Sequence, residues 1–189
     1  MASDDHVESV IHRVINALRA ADVPYMLTGS FASAYHGAPR TTQDIDIVIA
    51  PNLGSLERLL KQFPEESYYV SRDAALQAYG DEGLFNIVDF ASGWKVDLII
   101  RKSRSFSLAE FERRQQVELL GITLFIAAAE DTILAKLEWS KMSESERQIR
   151  DVSGILRTQG SQLDFEYIDR WVLTLQLQDQ WALAKAQAV

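Results

Sequence analysis

The chain has no cysteine. That one absence removes disulfides, thiolate metal sites and cysteine nucleophiles together. It also fits a cytoplasmic setting, which is the expectation. Prolines number only four in 189 residues, and there is no low-complexity tract or internal repeat. A single well-buried core is therefore expected rather than several. No apolar run approaches the roughly 20 residues a spanning helix needs, so no membrane association is expected. Met1 to His6 is acidic and lacks the basic-then-apolar layout of a signal peptide. Basic residues are outnumbered 19 to 27, giving a formal charge of -8. Proteins that hold long nucleic acid by neutralising phosphates are usually basic, so bulk charge argues against a polymer substrate. Arg101, Lys102 and Arg104 form one basic group, and Arg113 with Arg114 another. Solvated surface charge is the simpler reading of both, a local basic patch the alternative.

What is present is ordered like an α+β protein. Val7, Val10, Ile11, Val14, Ile15 and Leu18 recur at helical spacing, predicting a helix over 6–21 that Pro24 prevents from continuing. Tyr25 to Thr28 reads as a strand, Gly29-Ser30 as the turn after it, and Phe31 to His36 as a short helix. Asp44 to Ala50 alternates like a strand. A helix follows over 55–63 with Ser55 as its cap, and a shorter one over 73–79. Residues 84–90 and 94–101 suit a hairpin around Ala91-Ser92-Gly93, and short strands flank Gly121. From Ala128 onward the pattern is helical, over 130–142, 144–158, 164–175 and 177–188. The expectation is a mixed sheet flanked by helices over 1–127, with a helical region over 128–189 packed on it as a subdomain.

Asp44-Ile45-Asp46 carries the chemistry. Alternate side chains of a strand point to opposite faces, so the two carboxylates share one face while Ile45, Ile47 and Ile49 take the other. Paired carboxylates repel unless a cation sits with them. Hard divalent cations prefer oxygen ligands, and Mg²⁺ commonly combines one or two carboxylates with substrate phosphates. An exposed strand end explains the pair equally well when it is taken alone. Gly29-Ser30 adds a second feature. A helix N-terminus attracts anions, glycine lets a phosphate approach the backbone, and the Ser30 hydroxyl can donate to it. An ordinary capped turn is the plainer explanation of that dipeptide by itself.

In sequence order these features are a strand, Gly29-Ser30, a helix, a connection, then Asp44-x-Asp46 on a second strand. That arrangement resembles the nucleotidyltransferase superfamily related to DNA polymerase beta. The run from Tyr35 through Arg40-Thr41 to Asp46 is similar to the small bacterial subgroup that includes AbiEii-type toxins. The resemblance implies a nucleotidyltransferase-like mixed sheet. It implies transfer of a nucleoside monophosphate from a nucleoside triphosphate to an acceptor hydroxyl, with release of pyrophosphate. It further implies a two-metal site for Mg²⁺, or Mn²⁺ in its place, on Asp44, Asp46 and a third carboxylate. Asp97, within an otherwise apolar strand, is the candidate for that third position as a metal ligand or as the base for the acceptor hydroxyl, and Asp89 is its competitor. Gly29, Ser30, Arg40 and Thr41 are the implied nucleotide contacts. Lys136 and Asp151 match later motifs of the toxin-like subgroup, with an ion pair between helices as the structural alternative. The acceptor implied is a tRNA end, a protein hydroxyl or a small molecule, and toxins of this kind have an antitoxin partner. A nucleotide-binding or regulatory protein of the same fold, without turnover, is the competing reading.

Other prominent residues take plainer roles. His6, His12 and His36 lack companions in a ligand pattern. Trp139, Trp171 and Trp181 fall at helix positions suited to core packing. No Walker A loop and no Gly-x-Ser-x-Gly elbow is present.

Overall fold

The computed structural model describes residues 4–37, 39, 41–42 and 44–188. These divide into two compact units, Met1–Leu27 with Thr42–Ile126 and Thr28–Thr41 with Ala127–Val189. Residues 28–41 thus belong with the helical C-terminal region.

The first unit is built on a mixed sheet. Its strands are β1 (Tyr25–Leu27), β2 (Asp44–Ile49), β3 (Tyr68–Val70), β4 (Leu84–Asp89), β5 (Lys95–Ile100), β6 (Gln115–Leu119) and β7 (Ile122–Ile126), in the order β3-β4-β5-β2-β1-β7-β6. β2 and β5 run parallel, with β1 antiparallel to β2 and β4 antiparallel to β5. Ile45, Ile47, Ile49, Phe85, Ile87, Val96, Leu98 and Ile100 occupy one face and are all buried. Each such side chain contributes about 1.5–3 kcal/mol relative to exposure. Helix α1 (Asp4–Ala20) brings Arg13 to Asp89 on that face. Its apolar stripe of Val10, Ile11, Val14, Ile15 and Leu18 is at most 1% exposed. α1 ends before Pro24 is reached. Asp22 adopts φ 55°, and Val23 N–H returns to the Leu18 carbonyl at 2.9 Å, which closes the helix as a left-handed cap does.

Helices α2 (Gly29–His36), α6 (Ala129–Ser143), α7 (Glu146–Gln159), α8 (Phe165–Thr174) and α9 (Gln178–Ala188) make the second unit, with a 3₁₀ turn at Gly160–Gln162. Gly37 sits where a Cβ would lie 2.9 Å from the Ile155 nitrogen and 3.1 Å from the Gly154 carbonyl carbon. Glycine at this position lets the end of α2 lie against the backbone of α7.

Three details differ from the sequence reading. Helix α3 (Leu53–Leu60) is capped by Asn52, whose side chain accepts from Ser55 N–H, while the Ser55 hydroxyl receives the Asn52 N–H. Ser55 is the far member of a capping box rather than the cap. α4 (Arg72–Asp81) is longer than its short apolar pattern suggests, because Ser71 caps it. β3 and α5 (Ser105–Glu112) are elements the pattern did not reveal. β3 has only three residues, and tertiary pairing with β4 makes it a strand.

Among the described residues, no helix is long and apolar enough to cross a membrane.

Candidate active site

β2 begins immediately after Thr42, whose hydroxyl donates to the Asp44 carbonyl at 3.2 Å. Asp44 and Asp46 lie on the face opposite the buried isoleucines. The parallel register then sets Asp46 directly beside Asp97 and Asp44 directly beside Lys95. Neighbouring strands lie roughly 4.8 Å apart, and register partners in a parallel pair share a face. The three predicted carboxylates therefore come together on one half-exposed face of the sheet. Asn86, the partner of Asp97 on β4, borders them.

Lys95 received no role in the sequence reading, although its place two residues before Asp97 on a strand puts it on the same face. Its ammonium lies 3.0 Å from Asp97 Oδ2 and 3.5 Å from Asp44 Oδ1. The hydrogen bond to Asp97, with the charges of Asp97 and Asp44, holds the Lys95 ammonium above its usual range. The other Asp97 oxygen, Oδ1, is buried without a hydrogen-bond partner.

A divalent cation is tested against these residues by their donor chemistry. Carboxylate oxygens on one face, one of them buried and lacking a donor, suit a hard cation. Among the described residues, no three His, Asp or Glu side chains are already gathered closely enough to hold a metal ion. The positive charge lying against Asp44 and Asp97 is that of Lys95. The donor set fits the metal, with the ammonium in its way.

Asp89 is a different kind of residue. It faces the core side of the sheet and is 3% exposed. It pairs with Arg13, accepts from the Ser92 hydroxyl at 2.7 Å and accepts from Ala91 N–H at 3.2 Å. These contacts pin the hairpin turn to α1, so its nearness to the turn does not make it exposed.

In the second unit, Gly29 and Ser30 are the first residues of α2 rather than a turn ahead of it. Gly29 has φ 61°, a conformation that favours glycine. The first turn of a helix leaves N–H groups without intrahelical acceptors, and the Thr28 side chain accepts none of them. At the other end, His36 is buried and its Nε2 lies 2.7 Å from the Ala127 carbonyl. Burial lowers its pKa, against smaller opposing effects of that hydrogen bond and of Glu130. Lys136 lies 2.7 Å from Asp151 and 3.0 Å from the Gln148 side-chain oxygen, joining α6 to α7. Both ends of the ion pair are buried. Thr41 also belongs to this unit. Arg40 lies outside the described residues.

The basic groups are more than solvated charge. Arg101 and Arg114 both stack on the Phe111 ring, at 5.3 and 4.3 Å from its centroid, and Arg114 also lies over Phe125. Burial, then the charge of Arg101, pulls the Arg114 guanidinium below its ordinary range. Trp181 is buried as expected, but Trp139 is 56% exposed, beside the stripe of Ile133, Leu134, Leu137 and Ser140 that α6 buries.

No family model matches the chain, and no curated protein sequence matches it. Solved structures do. The crystal structure of ANT(2'')-Ia in complex with adenylyl-2''-tobramycin superposes with a TM-score of 0.59 at 12% identity, over 93% of this chain and 99% of that one. An antigenic nucleotidyltransferase-like protein from Paracoccidioides brasiliensis gives 0.57 at 17% identity, over 97% and 94%. The lincosamide antibiotic adenylyltransferase LnuA, lincomycin-bound, gives 0.53 at 11% identity, over 77% and 93%. At such identities the likeness concerns architecture, and on that ground this chain has a nucleotidyltransferase-like fold.

Proposed function

We propose that the protein transfers a nucleoside monophosphate from a nucleoside triphosphate to an acceptor hydroxyl, with Mg²⁺ as the required cation. The observation that carries this reading is the register of β2 and β5, which brings Asp44, Asp46 and Asp97 onto one half-exposed face. The acceptor oxygen attacks the α-phosphorus, the bond to the oxygen bridging to the β-phosphate breaks, and pyrophosphate leaves. The acceptor proton passes to a carboxylate, for which Asp97 Oδ1, buried and without a donor, is the candidate. Asp44, Asp46 and Asp97 are the residues to hold the cation, which supplies charge neutralisation at the attacking and leaving oxygens. Gly29, Ser30, Arg40 and Thr41 are the proposed phosphate contacts, and Lys136, positioned by Asp151, the proposed cationic one. Much of the rate gain in such chemistry comes from positioning and charge.

A small-molecule acceptor is favoured. Two structures of the same fold are described with an adenylylated aminoglycoside and with lincomycin, and the net charge of -8 disfavours a nucleic-acid polymer. A toxin acting on tRNA or protein, with an antitoxin partner, is the second acceptor reading. It rests on the Arg40-Thr41 and Lys136 motifs.

The test is label transfer from each α-labelled triphosphate, with Mg²⁺, to aminoglycosides and lincosamides, to RNA and to protein extract, beside Asp46→Ala. Transfer to a small hydroxylated compound that disappears in Asp46→Ala supports the proposal. Transfer that survives Asp46→Ala overturns the assigned site.

A further inference from the structure

Asp44 and Asp46 on β2, with Lys95 and Asp97 on β5, form a patch of two register pairs carrying three carboxylates and one ammonium. The ammonium reaches one oxygen of Asp97 and one of Asp44. It leaves Asp97 Oδ1 buried and unbonded, so it neutralises part of the carboxylate charge without satisfying every oxygen. A lysine carries a compact charge on a flexible four-carbon stem, and this side chain is 39% exposed, with room to swing outward.

We infer that Lys95 is a built-in counter-cation of the metal site. It occupies Asp97 and Asp44 when no divalent ion is bound, holds the carboxylates together, and must withdraw when the ion enters. The inference rests on the proposal that these carboxylates bind a divalent cation. In that setting Lys95 is a positioning residue. It sets the concentration at which the ion binds, because every ion bound displaces an ion pair. Removing the ammonium relieves that competition and exposes the mutual repulsion of three carboxylates.

The experiment is Mn²⁺ titration followed by electron paramagnetic resonance, without nucleotide, on the wild type, Lys95→Met, Lys95→Gln and Asp46→Asn. Thermal unfolding in chelator and in Mn²⁺ is measured alongside. Lys95→Met is expected to bind Mn²⁺ about tenfold more tightly, the scale on which one neighbouring charge shifts the preferences of a carboxylate. Its Tm is expected to fall in chelator and recover with Mn²⁺. Lys95→Gln reports the same affinity change should the methionine variant not fold. Wild type that binds Mn²⁺ in an Asp46-dependent way, with neither Lys95 variant binding more tightly, overturns this inference and leaves the metal site standing. Binding by none of the four proteins overturns the metal site itself, and the inference with it.

Discussion

Asp46 and Asp97 are register partners on parallel strands, and only Asp97 of the two lies against the Lys95 ammonium within a described ion pair. That pairing separates a carboxylate that does chemistry from one that builds the fold. Asp97→Asn is expected to lower transfer at least about a hundredfold, as loss of a proton acceptor or charge-stabilising group does, with little change in Tm. Asp89→Asn is expected to show the reverse. It loses the Arg13 pair and weakens the turn contacts, costing on the order of 2 kcal/mol in urea unfolding while leaving turnover within about twofold. An equal loss of activity in both variants would contradict this division.

The Lys136–Asp151 pair is buried at both ends. Removing either partner strands a charge, so Lys136→Met and Asp151→Asn are each expected to cost about 3 kcal/mol or more. The double variant is expected to cost less than the sum of the two, and urea unfolding of all four proteins gives the coupling energy. Triphosphate affinity measured on the folded single variants then tests whether Lys136 also contacts nucleotide.

His36 introduces a pH dependence. Its folded pKa is lowered, chiefly by burial. Above the unfolded value of about 6.5 both states hold a neutral ring and the residue has no effect on pH dependence. Below it the unfolded chain gains a proton that the buried ring resists. Stability therefore falls as pH drops from about 6.5 until the folded pKa is passed. Unfolding free energies between pH 7.5 and 5 should fall less steeply in His36→Gln than in the wild type, and identical slopes would contradict the assignment.

Gly37→Ala tests how closely α2 meets α7. A Cβ there lies 2.9 Å from a backbone nitrogen, which cannot move aside as a side-chain tip can. A loss of about 1–3 kcal/mol is expected in urea unfolding, the usual scale of overpacking.

Much of this was legible in the sequence for physical reasons. Strand alternation separates Asp44 and Asp46 from the isoleucines between them, and apolar spacing marks the long helices. The hairpin of β4 and β5 follows from two alternating runs around Gly93, whose φ is 74°. What remained hidden depends on partners distant in sequence. No local pattern tells that Asp89 turns inward to meet Arg13 from α1, 76 residues earlier. The register that sets Lys95 beside Asp44 is a property of two strands, and so is the choice of Asp97 over Asp89. Ser55 looked like a cap because the residue that fills that role, Asn52, lies in a loop with Pro51 and was read with it.

The central claim is that the Asp44, Asp46 and Asp97 face binds a nucleoside triphosphate through a divalent cation. The most direct measurement is isothermal titration of each of the four triphosphates, with Mg²⁺ and with chelator, into the wild type and Asp46→Asn. The account predicts binding of at least one triphosphate that requires Mg²⁺ and weakens about tenfold or more in Asp46→Asn, the loss expected when one charged ligand is removed. Binding that is equally strong in chelator, or unchanged by Asp46→Asn, would contradict it.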